Sequence, residues 1–164
     1  MSYVIIDLET TGLKPTRDEI IEMSAIRITG GKPERKAFDK FVKPKAGYVP
    51  PEIETLTGIK TDMVKDAGTL DEVLPEFLEF IKDDPVVGWN VNFDVGFIEH
   101  NLPNPLPNEV HDLIHDIKEV LPDLPNYKLT TVASHLGMNT SNAHRAIADC
   151  LFVYKIIHNL SNSL

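Results

Sequence analysis

The chain opens on Tyr3-Val4-Ile5-Ile6, an apolar, largely β-branched run with no polar alternation. A strand of that kind is buried on both faces, so it belongs in the interior of a sheet and needs strands beside it and helices on either side. The chain therefore starts in its own core. Ile20 to Ile28 is again rich in branched apolar residues, Gly30-Gly31 supplies a turn, and Lys36 to Val42 places Phe38, Lys40 and Val42 on one face, which predicts a strand meander. Pro51 to Leu56 reads as a short helix with Pro51 at its first position and Gly58 at its end. Thr69 and Glu72 match a capping box, and Leu70, Val73, Leu74, Phe77, Leu78 and Ile81 recur at helical spacing. Pro75 falls inside that pattern and is expected to bend the helix or move its start to about residue 74. Pro85 to Trp89 fits an interior strand, Phe93 to Asn101 a helix, and Val110 a further strand. Helices then follow over Leu113 to Leu121, Thr130 to Leu136 with Gly137 as terminator, and Ala143 to Leu160. Strands that lead and helices that trail, with some alternation, indicate an α/β fold with a mixed sheet.

A length of 164 residues suits one domain, 1–164, and no internal repeat or flexible linker divides it. A net charge of -9 argues against broad wrapping of duplex DNA, so any nucleic-acid contact has to be local. The acidity is uneven: residues 1–65 hold eleven basic and ten acidic side chains, the remainder five and fifteen, which fits either a solubilising surface or a cation site. The single cysteine, Cys150, has no internal disulfide partner, the first residues lack a basic signal-peptide start, and no run approaches ~18 apolar residues. A cytoplasmic protein without a membrane span is expected.

Asp7 and Glu9 end the first strand two positions apart, and a period of two turns both carboxylates to the same side. Desolvation and like charge both disfavour their ionised forms there unless a cation or hydrogen-bond donors offset the repulsion, and oxygen donors at this density suit Mg²⁺ or Mn²⁺. In isolation the pair is also what a strand end dipping into water would show. Thr10-Thr11-Gly12 follows at once and offers backbone donors in a turn. Asn90-Val91-Asn92-Phe93-Asp94 leaves an apolar strand and opens a helix, which puts Asp94 where strand ends gather. Near the C-terminus, Asp149 follows His144 by five positions. That is ~500° of helical rotation, so the two share a site only if His144 lies at the start of the helix, with Ser141 or Asn142 near the cap, and Asp149 on its body. An imidazole so placed can accept a proton near neutral pH.

Asp7-x-Glu9, Asp94 within Asn90-x-x-Phe93-Asp94, and His144-x-x-x-x-Asp149, in this order, resemble the three motifs of the DEDD superfamily of 3′–5′ exonucleases, histidine subtype. Leu56-Thr57-Gly58-Ile59, Tyr127-Lys128-Leu129 and His144-Arg145-Ala146 extend the likeness over nearly the whole chain, and it is greatest to the DnaQ-like proofreading exonucleases of bacterial DNA polymerase III. The resemblance implies a ribonuclease H-like α/β fold, a five-stranded mixed sheet flanked by helices. It also implies removal of nucleoside 5′-monophosphates from a single-stranded or frayed 3′ end, in proofreading or repair, with two divalent ions, Mg²⁺ or Mn²⁺, as cofactors. On that likeness Asp7 serves both ions, Glu9 and Asp149 complete the first, Asp94 serves the second, and His144 is the general base. Thr10, Thr11 and their backbone would meet the terminal nucleotide, Leu13 and Leu56 would pack on its base, and Asn90 and Phe93 would line the site. A DNA polymerase subunit is the implied protein partner. Trp89 stands where many relatives carry His and offers an aromatic surface on which a base can stack. Arg145 has two readings, a phosphate contact or a surface salt bridge. So does the basic stretch Lys32, Arg35, Lys36, Lys40, Lys43 and Lys45, as a strand guide or a charged edge hairpin. An exoribonuclease uses the same residues and differs by a 2′-hydroxyl contact, and a silent nucleic-acid-binding or polymerase-binding module is disfavoured by the intact carboxylates.

Overall fold

In the computed structural model, which describes residues 2–161, the N-terminal run is the middle strand of a five-stranded sheet. The strands are β1 (Ser2–Thr10), β2 (Ile20–Thr29), β3 (Lys32–Phe41), β4 (Val86–Gly88) and β5 (Val110–Asp112), arranged β3-β2-β1-β4-β5. The meander β1-β2-β3 is antiparallel, whereas β1, β4 and β5 run parallel, so the sheet is mixed. Parallel neighbours need long crossovers, and helices supply them: α1 (Pro51–Thr57), α2 (Thr61–Val64) and α3 (Leu70–Ile81) before β4, α4 (Val91–His100) before β5, then α5 (Leu113–Val120), α6 (Leu129–His135) and α7 (Ala146–Ser161).

The period of two along β1 sorts the helices into two layers. Val4, Ile6 and Leu8 pack with Val73, Leu74 and Phe77 of α3 and Val91, Val95 and Ile98 of α4. Ile5 points the other way, into Ile117 of α5, Val132 of α6, and Cys150, Val153 and Ile156 of α7. Val4, Ile5 and Ile6 are all essentially inaccessible to water, as a strand covered on both faces requires. Asp7 and Glu9 continue the phase of Ile5, so both carboxylates face the α7 layer.

Two expectations are corrected, and one helix is additional to them. α3 starts at Leu70 even though Pro75 lies within it. Pro75 removes only a bond to the carbonyl of Asp71, which is exposed to water, while the Thr69 N–H donates to Glu72 Oε2 at 2.8 Å and Val73, Leu74 and Phe77 anchor the same turns in the core. α7 begins at Ala146, three residues after the expected start, because His144 adopts a left-handed φ of 70° and the segment before it turns instead of coiling. The short α2 has no counterpart in the sequence reading; with α1 it covers a small cluster of Ile21, Val49, Ile59 and Val64. Among the described residues, no helix is long and apolar enough to cross a membrane.

Candidate active site

β1 delivers Asp7 and Glu9 to the α7 face, and α7 meets them with Asp149 from its first turn. One oxygen from each of the three lies within 4.8 Å of the others. Asp94 reaches the same strand from the opposite layer: it sits in the first turn of α4, 4% exposed, and its Oδ1 accepts the Leu8 N–H at 2.9 Å, between the two β1 carboxylates along the chain. The turn that aims it is tight. A Cβ on Gly88 would lie 2.8 Å from Val91 Cγ2 and 3.0 Å from the Ile6 carbonyl oxygen, and Asn90 follows with a left-handed φ of 54°. The Asn90 N–H donates to Asp112 Oδ1 at 3.0 Å, and the same oxygen caps α5 by accepting the Ile114 N–H at 3.1 Å, so the turn is tied to β5.

The electrostatics follow from that crowding. Burial pushes Asp7 well above the ordinary carboxylate range, with Asp94, Asp149, Glu9 and Glu22 each adding to the rise. Burial lifts Glu9 to about 9, Asp94 to about 8 and Asp149 to about 6, and neighbouring carboxylates add to each. Hydrogen bonds act against the rise: the Leu8 N–H lowers Asp94 and the His144 N–H lowers Asp149. Oxygen-rich, mutually repelling donors of this kind fit hard divalent cations such as Mg²⁺ or Mn²⁺, because a cation removes the repulsion that burial amplifies.

His144 is exposed on the turn before α7, and its N–H donates to both Asp149 oxygens, at 3.2 and 3.3 Å. The first N–H of α7, that of Ala146, is accepted by Glu22 Oε2 at 3.2 Å, where Ser141 or Asn142 was expected to cap. Thr10 and Thr11 build the following loop: the Thr10 hydroxyl donates to the Gly12 carbonyl at 2.7 Å, and the Thr11 hydroxyl accepts the Glu19 N–H at 2.9 Å. Leu13 and Leu56 stand 79% and 55% exposed, which leaves both side chains open to an external partner. Asn90 is exposed, and Phe93 is half-buried against Phe97 with ring centroids 5.0 Å apart.

One side chain lies elsewhere than sequence reasoning put it. Trp89 offers no stacking surface, being 9% exposed in the core beneath α5 and α6 with its Nε1–H donating to the Tyr127 carbonyl at 3.0 Å. Of the two readings for Arg145, the ion pair is present: its partly exposed side chain grips Glu22, itself 1% exposed, with Nη2 2.8 Å from Glu22 Oε1. Glu22 was missed by sequence reasoning altogether. The one available signal was a lone acid inside the apolar stretch Ile20-Ile21-Glu22-Met23. The basic stretch forms the outer strand β3 and the turn after it, and Lys40 pairs there with Glu76 of α3.

A mixed five-stranded sheet in this order, with carboxylates converging at the end of its central strand, defines the ribonuclease H-like α/β class. Within that class the chain belongs to the Exonuclease (RNase_T) family, which it matches over residues 4–157. It is 40% identical over 158 residues to the PolC-type DNA polymerase III of Clostridium perfringens, an alignment covering 94% of this chain and 11% of that protein. It is 35% identical over 172 residues to the DNA polymerase III subunit epsilon of Aquifex aeolicus, covering 99% and 82%. The chain thus spans about a tenth of the PolC-type relatives' length. Among solved structures, Escherichia coli exonuclease I in its zinc-bound complex with single-stranded DNA superposes with a TM-score of 0.83 at 21% identity, covering 94% of this chain and 39% of that one. Exonuclease X in complex with 5′-overhanging duplex DNA gives 0.79 at 22%, covering 98% and 92%.

Proposed function

We propose that this chain is a 3′–5′ exonuclease that releases nucleoside 5′-monophosphates from DNA ends, with residues 1–164 acting as one exonuclease domain. The observation that carries this reading is the convergence of Asp7, Glu9 and Asp149 from β1 and α7, with Asp94 fixed against the same strand. These four residues would hold two divalent cations. Held there, such ions would supply charge neutralisation at the scissile phosphate, Lewis acidity toward the attacking water and stabilisation of the leaving oxygen. The chain's own residues do the rest. Leu13 and Leu56 pack on the terminal base, Thr10, Thr11, Asn90 and Phe93 shape the pocket for its sugar and phosphate, and His144 takes the proton from the attacking water. The exposed position of His144 suits it to that exchange.

DNA is favoured over RNA as the substrate because the PolC-type and epsilon relatives are DNA polymerase III proteins. The same kinship supports a DNA polymerase as protein partner, a proofreading role and a cytoplasmic setting. Matched 3′-labelled DNA and RNA oligonucleotides, incubated with Mg²⁺, Mn²⁺ or a chelator, test the reading together. Mononucleotides released from DNA only when a metal is present are expected; no release under any condition overturns it, and faster release from RNA reassigns the substrate. His144→Ala should slow DNA hydrolysis by ~10² to 10⁴-fold, the usual range for losing a general base, while Mn²⁺ binding by titration calorimetry persists. An unchanged rate removes His144 from the mechanism.

A further inference from the structure

Glu22 has no place in the reading above, yet it is the most deeply buried carboxylate around the site. In the β1–β2 register it lies directly opposite Glu9. Cross-strand partners share a face, and like charges so placed repel. What balances Glu22 comes from 123 residues away in sequence: Arg145 Nε and Nη2 donate to its carboxylate at 3.2 and 2.8 Å, and the Ala146 N–H donates to its Oε2 at 3.2 Å. The guanidinium also lies over the Phe41 ring, 5.2 Å from its centroid, which fixes its plane. Arg145 and Ala146 are the two residues that follow His144.

His144 itself has a φ of 70°. A side chain bearing a Cβ is strained in that region, and such strain persists only where the surroundings hold it. Two attachments do so here, one on each side of residue 145. The His144 N–H is bound by Asp149, and the next two residues are bound by Glu22. If the second attachment is cut, the turn can relax to ordinary backbone angles, and the imidazole swings with it.

We infer that Glu22 is a positioning residue: acting through Arg145 and the Ala146 N–H, it locks the left-handed turn that aims His144 at the reacting water. Its role in the reaction rests on the proposed function; its hold on the turn does not. Glu22→Gln keeps the shape of the side chain and removes the charge that pairs with Arg145. Arg145→Lys keeps the charge and loses the two-point grip. Each variant should lower kcat on a 3′-labelled oligonucleotide by about tenfold to a hundredfold, the range seen when a supporting partner of a reacting group is lost, with KM little changed. Because Glu22 acts through His144, the double variant Glu22→Gln/His144→Ala should be no slower than His144→Ala alone. In the metal-free protein, amide hydrogen exchange should quicken at least ~tenfold in residues 144–149 and stay unchanged along β1 and β4.

A wild-type kcat in both variants, losses that multiply in the double variant, or exchange that quickens across the whole sheet would each overturn the inference. Exchange that stays unchanged in residues 144–149 would overturn it as well. Should the wild-type protein release no nucleotide, the nuclease reading fails by itself, and the exchange measurement still decides whether Glu22 holds the turn.

Discussion

Asp7→Ala is expected to abolish nucleotide release in Mg²⁺, by ~10⁴-fold or more, and to leave the protein folded with an equal or higher Tm. Asp7 stands between the two parts of the site, since Asp94 acts on it from the α4 side and Asp149, Glu9 and Glu22 from the α7 side. Losing it would weaken the hold on both proposed cations. Each cation supplies several kcal/mol of charge stabilisation, and ~1.4 kcal/mol is a factor of ten in rate. The same substitution relieves repulsion in the metal-free protein, so the stability change has the opposite sign from the activity change. Release of labelled mononucleotide, followed beside a thermal melt, reads both. Digestion at the wild-type rate would remove Asp7 from the site, and a large fall in Tm would mean that its carboxylate is structural.

The second large effect is on stability with pH. A carboxylic acid whose folded pKa is raised takes up a proton when the chain folds. Stability in chelator is therefore greatest below the unfolded value of about 4 and is lost as pH rises through the folded values. Those values are about 6 for Asp149, about 8 for Asp94 and about 9 for Glu9, with Asp7 also raised. Coupling among the four acids and the partial access of water to Asp7 and Glu9 reduce the sum, so the loss between about pH 5 and about pH 9 is on the order of a few kcal/mol. A protein of this size should then melt ~5–12 °C lower at the alkaline end. Mg²⁺ or Mn²⁺, if held by the ionised acids as proposed, should restore most of that difference, increasingly so as pH rises. The measurement is a melt series across pH with chelator and with either cation. A Tm that stays level in chelator, or that no divalent cation changes, would contradict a cation-binding site built from these four acids.

Much of this molecule can be read from local pattern, and the reasons are local too. The run Tyr3 to Ile6 can only be an interior strand, and the period of two then places Asp7 and Glu9 on one face whatever surrounds them. Gly58 and Gly137, both at positive φ, end α1 and α6 where the sequence places them. The spacing of His144 and Asp149 already requires one to lie off the helix that carries the other. Other features depend on partners that no window of sequence contains. Trp89 looked available for stacking because an aromatic residue at a strand end has the same local signature whether exposed or covered, and the residues that cover it come from α5, α6 and the segment around Tyr127.

What the sequence determined by itself is most of the elements, the capping box that opens α3, the glycine stops of α1 and α6, and the acids at the end of β1 and the start of α4, because backbone preferences and side-chain periodicity act over a few residues. Only the tertiary structure decided that Glu22 lies across from Glu9, that Arg145 turns inward to meet it, and that His144 is held in a left-handed turn. Those outcomes depend on strand register and on how α7 docks against the sheet. A one-residue slip of β2 would turn Glu22 to the opposite face and leave Arg145 without its partner.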